Sequence, residues 1–150
     1  MIRAIILAVF LTGCATLEQR ANTAAIADGG TTIGALALGA AEANPLGLAT
    51  VVLKYPLLQY CKGLPEDERT ECYSAANAVW GGAAVNNVCV IAAILTGGAF
   101  APVCIAAGIG YGVYAWNDTT PEQDFYTACA EYRRVSGESF RCEYQLQTMK

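Results

Sequence analysis

The chain contains no histidine. That excludes imidazole acid–base catalysis and any His-ligated metal site. It also lacks a Cys-x-x-Cys spacing, a Gly-x-Ser-x-Gly elbow, a His-Glu-x-x-His pair and a Walker loop. The common zinc, nucleophile and phosphate-cradling chemistries therefore have no foothold. There is no basic run, and the formal net charge is −4, which argues against a nucleic-acid partner. The most telling absence is local. From Cys72 to Asn117, 46 residues pass without one Asp, Glu, Lys or Arg.

What the chain has in quantity is alanine, glycine and cysteine, within a composition that is 55% hydrophobic. Setting Cys14 aside leaves six cysteines: Cys61, Cys72, Cys89, Cys104, Cys129 and Cys142. An even number reads as disulfides made in an oxidising compartment, although six cysteines can pair in many ways. Sequential pairing suits the turns that each neighbouring pair brackets. Cys61 and Cys72 flank a charged stretch, Cys89 and Cys104 a Gly-Gly/Pro turn, and Cys129 and Cys142 flank Ser136-Gly137. Each such loop closure contributes about 2–4 kcal/mol.

The pattern predicts an all-α chain of four Ala/Gly-rich helices arranged as two hairpins. A polar tether (15–23) leads into a helix over 22–43, which Asn44-Pro45 ends because a residue before proline disfavours helical angles. A second helix follows over 46–60, with Pro56 as a kink. The segment 62–71 holds six charges and reads as a solvent loop. The uncharged run is long enough for two membrane spans. Thr96-Gly97-Gly98 and Pro102 divide it into arms of 74–96 and 101–116. Trp80, Tyr111, Tyr114 and Trp116 suit a membrane–water boundary. Thr120-Pro121-Glu122-Gln123 predicts a fresh helix start, with Thr120 as N-cap and Gln123 closing a capping box. Beyond Gly137, Phe140, Cys142, Tyr144 and Leu146 alternate with polar residues; an extended tail pinned by Cys129–Cys142 and a short helix are both compatible.

At the N-terminus, Met1–Arg3 is a short charged region and Ala4–Leu11 an apolar run too short to span a bilayer. Leu11-Thr12-Gly13-Cys14 then resembles the lipobox of bacterial lipoprotein precursors. The resemblance implies a signal peptide over 1–13, cleavage before Cys14, and lipid on the Cys14 sulfur and amino group. Two or three acyl chains hold a protein on a membrane essentially permanently. The residue after Cys14 is Ala15 rather than Asp, which for this class leans towards the outer membrane, facing the periplasm.

Few polar residues interrupt the helices. Asp28 and Glu42, fourteen residues apart, fall about 40° apart around a helix. Thr32 and Gly39 lie between them, and Ala27, Thr31, Ala35, Gly39 and Ala43 form a small-residue ladder. Lys54, Asn86 and Asn87 are the available partners, and Lys54 with Glu42 across the Asn44-Pro45 turn is one candidate pair. Asp28-x-x-Thr31-Thr32 and Gly39-x-x-Glu42-x-Asn44-Pro45 resemble the first membrane helix of a family of small uncharacterised bacterial membrane proteins. Asn86-Asn87 after Trp80 is similar to a later helix of that group; the lipobox and cysteines depart from it. The resemblance implies membrane helices and brings no activity.

These readings divide the chain into a signal peptide (1–13), a lipidated tether (14–23), an apolar helical region (24–117) and a polar, disulfide-stapled C-terminal segment (118–150) with a small helix. The helices either cross a bilayer or form a bundle resting on it. The expected role is that of a non-enzymatic envelope lipoprotein acting through its helices, its outer loop and its tail. A small oligomeric pore, with Asp28 and Glu42 lining a polar path, is the alternative. Two carboxylates about 21 Å apart along a helix cannot flank one bond, so no catalytic residue is assigned. The expected partners are the lipid bilayer, a second copy or another envelope protein. No cofactor beyond the covalent lipid, no metal and no small-molecule substrate is inferred.

Overall fold

A computed structural model describes residues 15–39, 47–97 and 101–144. Among the described residues it contains four helices and no strand: α1 (Leu17–Ala37), α2 (Gly47–Gly63), α3 (Glu66–Leu95) and α4 (Ala101–Ser136). The lipobox, Glu42, the Asn44-Pro45 turn and Leu146 lie outside the described residues.

Helix boundaries moved wherever capping chemistry outweighed polarity. The segment expected as a tether is the first part of α1. Thr16 caps it, its hydroxyl accepting from the Gln19 N–H at 3.3 Å while its own N–H donates to Gln19 Oε1 at 2.9 Å. This reciprocal box satisfies two otherwise orphaned donors. α1 stops at Ala37, short of the expected Ala43, because Gly39 takes a φ of +84° there.

The charged segment 62–71 is not a loop. α2 continues to Gly63, Leu64 and Pro65 make the turn, and Glu66, Asp67 and Glu68 fill the first turn of α3. Carboxylates are favoured at that position by the helix dipole. Cys61–Cys72 ties the two helices together across this turn.

α4 merges the expected fourth arm with the expected C-terminal helix, so the boundary at 117/118 disappears. Pro121 sits inside it without breaking it. The predicted capping box does not form. Thr119 and Thr120 turn their hydroxyls back onto the Trp116 carbonyl at 2.8 and 3.2 Å, and Gln123 Nε2 donates to Thr119 Oγ1 at 3.1 Å. This back-bonding supplies donors next to the one that proline lacks. Beyond Gly137 (φ +71°) the described tail, to Tyr144, is neither helix nor strand and is bound to α4 by Cys129–Cys142. Arg133 Nη1 also donates to the Phe140 carbonyl at 3.2 Å.

α3 is the central element. It packs along α1 on one side and α4 on the other, while α2 touches α1 and α3 more lightly. Contacts between Gly82 and Gly108, and between Ala78 and Gly112, run antiparallel along α3 and α4. At their other end the same pair is joined by Cys89–Cys104. The interior is made of small residues, with Ala21, Ala24, Ala25 and Ala76 packed around Leu17, Leu58, Tyr73 and Trp80. Large aliphatic side chains point outward instead: Ile26, Val52, Val79, Leu95, Val103 and Ile109 are each at least 60% exposed. Among the described residues α3 alone is long and apolar enough to cross a membrane, its best stretch having a mean hydropathy of 1.8.

Candidate functional site

The buried face of α1 is the stripe Ala21, Ala24, Ala25, Asp28, Gly29 and Ala35. The predicted ladder is therefore rotated: Ala27 is exposed, and only Ala35 of its described members is buried. The stripe places one charge in the interior. Asp28 is 7% exposed, and Lys54 of α2, at 5%, meets it with Nζ 2.5 Å from Oδ2. Lys54 thus pairs with Asp28, nine residues before the Gly63 end of α2; the expected partner, Glu42, lies outside the described residues.

The other carboxylate oxygen is held by α3. Asn87 Nδ2 donates to Asp28 Oδ1 at 3.0 Å and lies 3.0 Å from Thr32 Oγ1 and 3.4 Å from Thr31 Oγ1. Thr32 Oγ1 also approaches Asp28 Oδ1 at 3.5 Å. Trp80, expected at a membrane boundary, is buried, and Lys54 Nζ stands 6.0 Å from its ring centre. That distance fits a cation–π contact. Three helices therefore meet on one carboxylate, and the lysine has an anion on one side and an aromatic face on another. A charge pair removed from water persists only when both members are so partnered.

The remaining predicted residues stand apart. Asn86 reaches only its neighbour, Nδ2 lying 3.5 Å from Asn87 Oδ1, while its own Oδ1 is buried without a partner among the described residues. It borders a groove of about 480 Å³ between α3 and α4, whose floor includes Gly82, Gly108 and Gly112. Gly39 lies in the turn beyond α1, where a Cβ would meet nothing within 4 Å among the described residues. The cysteines form three bonds, Cys61–Cys72, Cys89–Cys104 and Cys129–Cys142. Trp80 is the site residue that sequence reasoning misplaced. Its spacing of seven from Asn87, two helical turns, was the available signal.

The opposite end of the bundle carries the surface charges. Arg20 of α1 pairs with Asp118 of α4, Arg133 with Glu66 at 3.1 Å, and Lys62 with Glu18 at 3.7 Å. Burial raises the Glu122 carboxyl above its usual range, an effect that nearby Arg20 partly offsets. Among the described residues no three His, Cys, Asp or Glu side chains converge as a metal would require. Chemically, the Asp28 cluster can hold helices together or pass a proton or ion; it offers no nucleophile beside a base. Set against protein families, curated proteins and solved structures, the chain matches none.

Proposed function

We propose that this chain is a lipid-anchored, non-enzymatic protein of the bacterial envelope, and that its helices lie in a bilayer as two antiparallel pairs, α1 with α2 and α3 with α4. The observation that carries the reading is the reversal of polarity across the bundle. Asp28, Lys54 and Asn77 are buried among alanines and glycines, while Ile26, Val52, Val79 and Ile109 face outward. Water selects the opposite arrangement. Lipid tails give apolar side chains no reason to hide, so membrane helices pack through small residues and internal polar contacts. Charges inside a membrane bundle pair with one another, as Asp28 and Lys54 do.

The lipobox at Leu11–Cys14 supports a diacylglycerol anchor on Cys14 and a periplasm-facing N-terminus. The ion pairs of Glu18, Arg20 and Lys62 lie at the end of the bundle where the described chain starts, at Ala15. That end, including the 62–71 segment and the stapled tail, is then the surface open to an envelope partner. A polar path for ions would need the Asp28 face open, and its occupation by Lys54 and Asn87 favours packing over conduction.

The test replaces residues 1–14 with a cleavable secretory signal, so that the exported chain begins at Ala15 without lipid. Retention in the membrane pellet after alkaline carbonate extraction is the expected result. Full release would leave only a bundle tethered by its lipid. Incorporation of labelled fatty acid, abolished by Cys14→Ser, checks the anchor separately.

A further inference from the structure

The three disulfides are not at one end of the bundle. Cys61–Cys72 spans the α2–α3 turn and Cys129–Cys142 holds the tail, both at the charged end beside Ala15. Cys89–Cys104 lies at the other end, in the last turns of α3 and the first turn of α4. Along α3, the seventeen residues from Cys72 to Cys89 separate the two sites by about 25 Å, at about 1.5 Å per residue. That is most of a hydrocarbon core about 30 Å thick.

This placement conflicts with insertion into the cytoplasmic membrane during export. With Cys14 outside, the far end of the bundle would sit in the inner leaflet, next to a compartment that keeps thiols reduced. Disulfide exchange also needs a thiolate, which apolar surroundings disfavour. Cys104 is fully buried and Cys89 half-buried, so an oxidant enters the assembled pair only through Cys89, which the embedded reading surrounds with lipid.

We infer that the chain crosses the cytoplasmic membrane whole, closes Cys89–Cys104 in the periplasm, and enters its bilayer afterwards as a folded bundle, from the periplasmic side of the outer membrane. The reaction is the ordinary one. The two thiols give up two protons and two electrons, one S–S bond forms, and a protein disulfide of the oxidising compartment is reduced to its dithiol. The inference rests on the membrane-embedded reading above and adds to it a route and a membrane.

The experiment uses the full-length chain in cells. Free thiols are blocked with N-ethylmaleimide at harvest and again in denaturant once inner and outer membranes are separated, and unreduced peptides are mapped by mass spectrometry. Expected are a linked Cys89–Cys104 peptide, no maleimide on either residue, and recovery in the outer-membrane fraction. In cells lacking the periplasmic thiol oxidant, all three pairs should become alkylated together. Maleimide on Cys89 and Cys104 beside an intact Cys61–Cys72 link, in carbonate-resistant protein, would overturn the inference alone. So would linked protein confined to the inner membrane. Release of fully linked protein by alkaline carbonate would instead overturn the embedding, and the insertion step with it.

Discussion

α3 is held to its two main neighbours by different physics. Towards α1, with α2 closing over the top, the contact is polar and built on Asp28, Lys54 and Asn87. Towards α4 it is backbone against backbone. A Cβ built on Gly82 would stand 2.7 Å from the Gly108 carbonyl oxygen, and one on Gly108 would stand 2.7 Å from that of Gly82. The first seam depends on charge and fails when one partner is removed. The second depends on the absence of side chains and fails when one is added. Alanine-rich helices offer little else to grip, since each buried alanine contributes far less area than a leucine.

The largest effect should come from breaking the charge seam on one side only. Lys54→Ala leaves Asp28 buried and uncompensated, a change that typically costs about 3–5 kcal/mol. Asp28→Asn combined with Lys54→Ala removes both charges and should recover most of that loss. Unfolding of the detergent-solubilised protein, read as a double-mutant cycle, checks it. Additive single effects would mean that the pair does not hold the seam.

The glycine seam predicts an effect of opposite cause. Gly108→Ala must push α3 and α4 apart or shift a carbonyl, at a cost of about 1–3 kcal/mol. Gly110, two residues away, has nothing within 4 Å of its would-be Cβ. Gly110→Ala should therefore stabilise α4 by up to about 1 kcal/mol, through helix propensity alone. Equal responses at the two positions would dissolve the distinction between seam and surface. On the polar side, Asn87→Ala removes a neutral donor from a carboxylate that keeps its lysine. It should cost about 1–3 kcal/mol, well below Lys54→Ala in the same assay.

The two seams were not equally legible. Helix content and the Asp28–Thr32 face followed from spacing and from the scarcity of charge. The rotation of the α1 stripe did not, because Ala27 and Ala24 are interchangeable in any small-residue pattern. Gly82 offered no distinguishing mark among 15 glycines, since close approach is a property of two helices at once. Polarity misled in two places. Charges at 66–68 suggest a solvent loop although they begin a helix, and the polarity around Thr16 suggests a tether although Gln19 completes its cap. In both, a local hydrogen-bonding or dipole signal outranked average hydrophilicity. Pro121 misled in the other direction: a strong start signal was overridden by threonine hydroxyls bonding backwards within a continuous helix.

The smallest effect tests whether the charged end contributes to holding α4 as the interior does. Burial raises the folded-state pKa of Glu122, so its ionisation opposes folding. The sign follows from linkage: the stability attached to this group is fully present below the unfolded carboxylate pKa and is lost as pH rises through the higher folded value. Glu122→Gln keeps the shape and removes the titration. The variant should gain slightly at neutral pH relative to the parent, and the gain should vanish on acidification below the ordinary carboxylate range. Arg20, which partly offsets the burial, also pairs with Asp118, so Arg20→Gln should enlarge the benefit of Glu122→Gln. Thermal unfolding from about pH 3 upward, in about half-unit steps through the carboxylate range, reads both variants. A Glu122→Gln protein with the parent's pH profile would show that α4 is held to α1 by the Arg20–Asp118 pair without a contribution from Glu122. The Asp28–Lys54 cluster would then be the sole place in the described bundle where a buried charge governs how the helices meet.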